Sequence, residues 1–389
     1  MLMTTNILLT DMKHYFLFIL LSAAIATGGC TEELQPQTCG TNGTVPDESE
    51  LTEAVLNLSV NAFVVEAQAE TRASIPSGTP EKETPEEKEI HNIWVFQYDA
   101  ATKELLIKPR YYTITDQAML QDLPVYLKAG VPSVVYVVTN TGYDNWANDG
   151  TDASWQKFKQ LEQLKKQTLP TAFPLRSIDK VSIPMAGASE EVEVTTGITV
   201  TVPVTRMYAK LKVKVEMRKA EMELNNVNVR QIPNICRVET LAGDGKGEPM
   251  EPVPFPDETT FSSIAFAASD LEKNEDKEWA VFYVPENLQG ETQTQGGNKS
   301  DAAPSNALVV DITTEIGGER YLYAAYPGGN SLNNFNIQRN QVYRITVTIT
   351  GEKNQNNPSA NCFVVKPDGF LSFEPYYRVE TGGGYNFAD

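Results

Sequence analysis

The clearest periodic pattern near the start of the chain is a strict alternation of apolar and polar residues. Apolar side chains occupy every second position, and Asn57, Ser59 and Asn61 lie between them. Because neighbouring side chains of a strand point to opposite faces, this pattern predicts a half-buried β-strand. Its inward face consists of Leu56, Leu58, Val60, Ala62 and Val64.

This predicted strand stands between two stretches that are poor in apolar residues. Residues 31–50 are rich in Thr, Gln, Gly, Pro and acidic residues, and residues 74–89 contain prolines and several acids. Such compositions cannot bury enough apolar surface to order a chain. We therefore expect a tether before the strand and a flexible segment after it.

Later apolar runs predict the strands of two larger cores. Residues 92–98 and 131–138 are continuous runs of β-branched, aromatic and other apolar residues, as in central strands of a sandwich. In residues 204–217 apolar residues alternate with mainly charged ones, which predicts one core face and one solvent face. Further strands are predicted at residues 111–114, 279–284, 307–312, 321–326 and 342–349.

One helix is predicted from Asp152 to about Lys166, because Trp155, Phe158, Leu161 and Leu164 recur every three residues. The pattern as a whole predicts an all-β protein: two antiparallel β-sandwich domains with one or two short helices. The predicted domains span residues 51–189 and 190–380, and residues 381–389 form a linker-like tail.

The first residues have the layout of a secretory signal. Lys13 precedes an apolar run that begins at Tyr15 and ends in small residues before Cys30. A cysteine directly after two glycines resembles a bacterial lipobox, although Thr27 stands where leucine is usual. We predict a signal peptide over residues 1–29, acylation of Cys30 that anchors the protein in outer-membrane lipid, and an acidic tether over residues 30–50.

Length and charge limit the partners. The 389 residues, 41% of them hydrophobic, suffice for two cores. A net charge of −19 opposes binding to a phosphate backbone, so nucleic acid is not expected as a partner.

The remaining cysteines, Cys39, Cys236 and Cys362, do not form the even set of a disulfide framework. Cys236 and Cys362 are predicted to be small interior residues, with a bridge between them as the alternative.

Catalytic chemistry finds little support in the sequence. His14 and His91 are the only histidines, and His14 would leave with the signal peptide, so a histidine-based triad or a multi-histidine metal site is not expected. No nucleophile elbow, P-loop or dinucleotide fingerprint is present. We predict a protein that is not an enzyme and that uses neither cofactor nor metal. Paired carboxylates, the equipment of glycosidases, remain the open alternative in so acidic a chain.

Three segments resemble known proteins. Residues 184–187 (Pro-Met-Ala-Gly), residues 206–213 (Arg-Met-Tyr-Ala-Lys-Leu-Lys-Val) and residues 336–351 are similar to elements of the second domain of fimbrillins, the type V pilus subunits of Bacteroidetes. Residues 92–98 resemble a strand of their first domain. The order of lipobox, single strand and two β-rich blocks is typical of that family, whose domains are transthyretin-like sandwiches.

The resemblance implies a surface-exposed lipoprotein precursor of a fimbrium at the outer membrane. In such proteins an arginine-specific protease removes the first strand, and the groove then accepts a strand from another fimbrial subunit. Here the cut is expected between Arg72 and Ala73, which would release the segment from Cys30 to Arg72 and with it the removable first strand in residues 51–72. The implied role is adhesion, to a host or bacterial surface ligand.

A second hypothesis uses the same fold for another purpose. Exposed aromatic residues on loops can stack on sugars, and Trp146 is the candidate for such a contact, whereas Trp155 belongs to the apolar stripe of the predicted helix. The chain would then be a surface glycan-binding lipoprotein.

Overall fold

The computed structural model describes residues 50–65, 82–169, 174–180, 182–217, 220–239, 251–273, 277–293, 299–329 and 333–349, and the backbone of three short strands near the C-terminus. All of these residues belong to one compact unit, Thr38–Asp389. The fold is all-β with a few short helices, which confirms the predicted class.

The strands of the first half, in chain order, are β1 (Leu51–Val60), β2 (Val64–Val65), β3 (Asn92–Asp99), β4 (Arg110–Thr113), β5 (Leu123–Lys128), β6 (Pro132–Thr139), β7 (Thr168–Leu169), β8 (Leu175–Arg176), β9 (Met185–Ala188), β10 (Val192–Glu193) and β11 (Thr199–Arg206). Those of the second half are β12 (Tyr208–Met217), β13 (Glu223–Pro233), β14 (Cys236–Arg237), β15 (Phe261–Ala267), β16 (Ala280–Pro285), β17 (Asn287–Glu291), β18 (Val309–Ile316), β19 (Glu319–Ala325), β20 (Asn334–Ile337), β21 (Gln341–Ile349), β22 (Asn361–Val365), β23 (Leu371–Pro375) and β24 (Tyr385–Asn386).

The helices are short: α1 (Asp152–Gln156), α2 (Leu161–Lys165), α3 (Ala268–Leu271) and the 3-10 turns Pro85–Lys88, Gln117–Gln121 and Lys299–Ala302. Within the described ranges, no helix has the length and hydropathy needed to cross a membrane. The single helix predicted from Asp152 to Lys166 is wrong, because the chain leaves the helix at Lys157 and becomes extended at Gln160. This break seats the Phe158 side chain in a core, and the Phe158 carbonyl accepts a hydrogen bond from the Tyr98 hydroxyl.

The strands of the first sandwich form one continuous eight-stranded sheet with the order β4-β3-β6-β9-β11-β1-β5, and the eighth strand, β10, pairs with β6. β11 joins its two parts, because residues 199–204 pair with β1 while Thr205 and Arg206 pair with β9. Alternate residues of these strands share a first core, which includes Leu56, Val95, Val125, Val137 and Val202.

The predicted domain boundary at residue 189 falls inside this sheet. Both β10 and β11 follow that residue and belong to the first sandwich. The cause is the alternation Val200, Val202 and Val204, which places three buried side chains in the first core. Apart from the short strands β2 and β8, the strands of the second sandwich follow from β12 onward.

The second sandwich packs two six-stranded sheets. One has the order β2-β21-β12-β16-β8, with β24 also on β21, and the other has the order β15-β13-β18-β19-β22-β23. Their facing apolar residues form a second core, which includes Leu211, Val229, Phe282 and Val310. Most strand pairs are antiparallel, but β1–β11, β12–β21, β2–β21 and β21–β24 are parallel.

A third core lies between the outer face of β3 and the β12–β16–β21 sheet. Trp94, Phe96 and Tyr98 contribute one side, and Tyr208 and Tyr283 contribute the other. This core explains why β3 is buried on both faces, as its continuous apolar run predicted. It also explains why Tyr208 and Lys210 are buried, although the alternation of β12 placed them on the solvent face.

Candidate functional site

The strand singled out by the sequence, β1, is held by two neighbours. Its first half, Leu51 to Leu56, pairs antiparallel with β5, and its second half, Val55 to Val60, pairs parallel with β11. The two ladders overlap at Val55 and Leu56. Removing β1 would therefore expose two unpaired strand edges at once, those of β5 and β11.

Burial along β1 follows the predicted alternation only as far as the strand extends. Ala54, Leu56 and Leu58 are buried in the first core, whereas Val60 is half-buried. Ala62 is exposed, so its predicted place on the inward face is wrong. The strand ends at Val60, and the next buried side chain is Phe63. Val64 begins β2, which pairs with the start of β21.

Between β1 and β2, the main chain of residues 61–63 is bound by polar side chains from elsewhere in the chain. Arg206 Nη1 donates to the Asn61 carbonyl at 2.7 Å, and Asn340 Nδ2 donates to the Ala62 carbonyl at 2.7 Å. The Phe63 amide donates to Glu83 Oε1 at 2.7 Å. Three consecutive residues are thus fixed through their backbone, and the Asn61 side chain adds a hydrogen bond from its Nδ2 to Thr205 Oγ1 at 2.8 Å.

The ring of Phe63 is buried between cations and an aromatic ring. The Arg206 guanidinium carbon lies 4.2 Å from the ring centroid, and Lys210 Nζ lies 5.8 Å from it. The Tyr283 ring stacks on Phe63 with centroids 6.4 Å apart and an interplanar angle of 28°. A buried cation over an aromatic face is an attractive arrangement of the cation–π kind.

Two acidic residues balance these cations. Arg206 Nη1 lies 2.9 Å from Glu83 Oε1, and Lys210 Nζ lies 2.6 Å from Glu87 Oε1. The Tyr283 hydroxyl donates to the same Glu87 oxygen at 2.6 Å. We call Glu83, Glu87, Arg206, Lys210, Tyr283 and Asn340 the clamp. The side chains of Arg206 and Glu87 are fully buried. A charge in such a low-dielectric environment is stable only beside an opposite charge, and each charged residue of the clamp has one.

Burial and charge act in opposite directions on the pKa values of Glu83 and Arg206. Burial alone would raise the pKa of Glu83, but the hydrogen bonds from Lys88 and the Phe63 amide, together with the Arg206 charge, lower it below its ordinary value. Burial lowers the pKa of Arg206, and the carboxylates of Glu83 and Glu87 act against that fall. Burial and the charge of Glu87 raise the pKa of Tyr283, which keeps its hydroxyl a hydrogen-bond donor.

The clamp explains the sequence motif that begins at Arg206. Arg206 ends β11 and Lys210 lies in β12, so both basic residues point to the same buried site, while Ala209 between them faces the second core. The glycine of the Pro-Met-Ala-Gly segment, Gly187, is required for a different reason. A Cβ atom at Gly187 would lie 1.8 Å from the Pro203 carbonyl oxygen, so only glycine allows β9 to approach β11 this closely.

Sequence reasoning did not find the acidic half of the clamp. Glu83 and Glu87 lie in the stretch 74–89, which its composition predicted to be flexible. The available signal was Thr84-Pro85-Glu86-Glu87, a capping-box spacing, and the structure shows a 3-10 turn there in which the Thr84 amide donates to Glu87 Oε2 at 2.9 Å. Phe63 was also missed, because it falls on the polar face of the predicted strand.

The other predicted site residues are distributed as follows. Cys30, Arg72 and Ala73 lie outside the described residues. Cys236 is a buried free thiol, as predicted for an interior residue, and burial raises its pKa to about 12. The side chain of Cys362 lies outside the description. Within the described part of the chain, no group of three or more His, Cys, Asp or Glu side chains could hold a metal ion.

The prediction of Trp146 as an exposed sugar platform is wrong. Its side chain is only 6% exposed and packs edge-on against Phe96 and Phe158, at centroid distances of 6.2 and 5.2 Å. Burial in the third core leaves no open face on which a sugar ring could stack. Trp155, predicted to be a core residue, is buried.

Comparisons with known proteins give the following matches. A model for a domain of unknown function, DUF4906, matches residues 282–347, from β16 into β21. No curated protein matches the chain.

Among solved structures, the chain is similar to a C-terminally truncated tip fimbrial protein, Mfa3, of Porphyromonas gingivalis, with 13% identity, a TM-score of 0.46, and 84% of this chain and 100% of that chain covered. A protein from Bacteroides eggerthii, described as a candidate cell adhesion protein, is similar with 16% identity and a TM-score of 0.43, over 80% of this chain and 89% of that chain.

A third similar structure, also described as a candidate cell adhesion protein, comes from Parabacteroides distasonis. Its identity is 14% and its TM-score 0.43, with 84% of this chain and 97% of that chain covered. Identities and TM-scores this low transfer no function to the present chain.

Proposed function

We propose that this chain is the lipoprotein precursor of a cell-surface fimbrial subunit that serves adhesion without catalysis. In the proposed pathway, Cys30 is acylated, an arginine-specific protease cuts after Arg72, and the segment from Cys30 to Arg72, which contains β1, leaves the body. A strand of another fimbrial subunit then enters the vacated slot. The observation that supports this most directly is β1 itself, the first of the described strands, which pairs with both β5 and β11.

The two-sided pairing of β1 sets the energetics of such an exchange. Loss of the strand would expose the backbone donors and acceptors of both β5 and β11 and the apolar sites now filled by Ala54, Leu56 and Leu58. Burial of one leucine side chain is worth about 1.5–3 kcal/mol, so the vacant slot is costly. An extended segment with alternating apolar residues satisfies both the edges and the core, which is the physical basis of strand addition.

The proposal is tested by treating the purified protein with an arginine-specific protease. The matched control is Arg72→Lys, which keeps the positive charge but removes the cleavage site. We expect the wild-type protein to lose its N-terminal segment and to form a ladder of oligomers on a native gel, and the Arg72→Lys variant to remain a monomer. A wild-type protein that stays monomeric after complete cleavage would refute assembly by this route.

The lipoprotein step has its own test. Mass spectrometry of the protein recovered from cells should identify an acylated Cys30 in the precursor and Ala73 as the first residue of the processed form. An unmodified N-terminus upstream of Cys30 in membrane fractions would contradict lipid anchoring.

A further inference from the structure

The groups that hold residues 61–63 all lie after residue 72 in the chain. Glu83 follows it in sequence, Arg206 ends β11, Lys210 lies in β12, Tyr283 in β16, and Asn340 directly precedes β21. If the segment that ends at Arg72 departs, as proposed above, every member of the clamp remains with the body. The departing side contacts the clamp through two carbonyls, one amide and the Phe63 ring.

The clamp is also organised without the strand. Arg206 is held by Glu83 and by the Glu87 carbonyl, to which its Nε donates at 2.9 Å. Glu87 in turn binds Lys210 and Tyr283. Asn340 Oδ1 accepts a hydrogen bond from Arg206 Nη1 at 3.3 Å, and the backbone N–H of Asn340 donates to the Tyr208 carbonyl at 2.8 Å. Binding sites that are preorganised in this way lose less ordering entropy when they bind a partner.

We propose that the clamp is a register-setting binding site for the strand that fills the slot, and that it selects an aromatic residue at the position of Phe63. The inference rests on the proposed strand exchange. Two main-chain carbonyls and one amide fix the position of the incoming backbone, and the cation pair Arg206 and Lys210 favours a π face over an aliphatic side chain. A proline is excluded there, because Glu83 requires an N–H donor.

The clamp also defines the chemistry of the partner. The occupant is an extended segment of another subunit with an aromatic residue and, before it, apolar residues at the spacing shown by Ala54, Leu56, Leu58 and Phe63. A one-residue slip would turn the apolar side chains away from the core, so the aromatic anchor and the alternation must agree. A segment with the alternation alone lacks the anchor.

The first test uses the intact chain and does not depend on cleavage. Amide hydrogen exchange of residues 51–65 is compared in the wild type, Phe63→Leu and Leu58→Ala, each also in an Arg206→Gln background. We expect Phe63→Leu to raise exchange about tenfold, as the loss of a buried cation–π contact implies, and to have a smaller effect in the Arg206→Gln background, where the nearer cation is already absent. The Leu58→Ala effect should persist in both backgrounds, because Leu58 lies in the first core.

The second test keeps the protein wild-type, so folding of variants is not at issue. After arginine-specific cleavage, a fluorescent peptide of residues 51–65 is titrated against the processed protein, and two altered peptides compete with it. One carries Phe63→Leu, and the other carries an N-methyl group on Phe63, which keeps the ring but removes the donor to Glu83. We expect each to bind about tenfold more weakly, because each loses one buried interaction with a charged group.

The outcomes separate the two claims. If the processed protein binds no peptide at all, strand exchange as proposed is wrong, and the hydrogen-exchange cycle still decides whether the clamp selects an aromatic residue. If the parent peptide binds but the Phe63→Leu and N-methyl peptides bind within twofold of it, the clamp does not set the register. Exchange rates of Phe63→Leu that equal those of the wild type would overturn the inference as well.

Discussion

Replacing Glu87 by glutamine should destabilise the protein severely although the two side chains have nearly the same shape. Glu87 is fully buried, and its Oε1 lies 2.6 Å from both Lys210 Nζ and the Tyr283 hydroxyl. Glutamine removes the charge that compensates Lys210, whose side chain is only 6% exposed. Breaking a buried ion pair on one side costs about 3–5 kcal/mol, because the remaining charge stays in low dielectric.

The assay is thermal and urea unfolding of the purified chain at neutral pH, with the double variant Glu87→Gln, Lys210→Met as the matched control. Methionine keeps most of the apolar stem of lysine and removes its charge. We expect the double variant to recover most of the stability lost by Glu87→Gln, since replacing both partners is often neutral. A single variant within about 1 kcal/mol of the wild type, or a double variant as unstable as the single one, would refute this account of the clamp.

Three further predictions follow from single residues. The lowered pKa of Glu83 means that its contribution to stability is complete above the ordinary value of 4.5 and is lost as the pH falls through the lower folded value, so Glu83→Gln should flatten the acid limb of stability against pH. Gly187→Ala should cost about 3 kcal/mol or more in unfolding experiments, because its Cβ atom would overlap the Pro203 carbonyl; a smaller change would mean that β9 can shift. Trp146→Ala should cost about 3–5 kcal/mol as a core truncation, and a glycan-binding defect without loss of stability would restore the platform hypothesis.

The sequence predicted the positions of the strands better than it predicted which strands pair with each other. Period-two alternation is a local property, and it located β1 and the core face of β12. Pairing is non-local: nothing within residues 51–60 indicates that β11 would lie parallel to them. The domain boundary failed for the same reason, because β11 belongs to the sandwich whose core its valines enter rather than to the block that follows it in sequence.

The clamp shows why buried charged sites are hard to predict from one sequence. Lysine, arginine and glutamate are rarely buried, so a charged residue opposite a core face is assigned to solvent by default. Lys210 obeys that pattern in sequence and violates it in the fold, because a second layer covers the start of β12. Its partner Glu87 lies more than a hundred residues away, inside a stretch whose composition indicated disorder.

The placement of these charges bears on how β1 is held. A buried ion cluster adds little net stability compared with apolar residues of the same volume, but its directional bonds discriminate between alternative arrangements. Apolar contacts alone would hold β1 in any register that keeps Leu56 and Leu58 inward, including a slip by two residues. The bonds from Arg206, Asn340 and Glu83 to residues 61–63 remove that freedom, because each requires one particular backbone atom. The apolar core therefore holds β1 in place, and the bonds from the clamp to residues 61–63 fix its register.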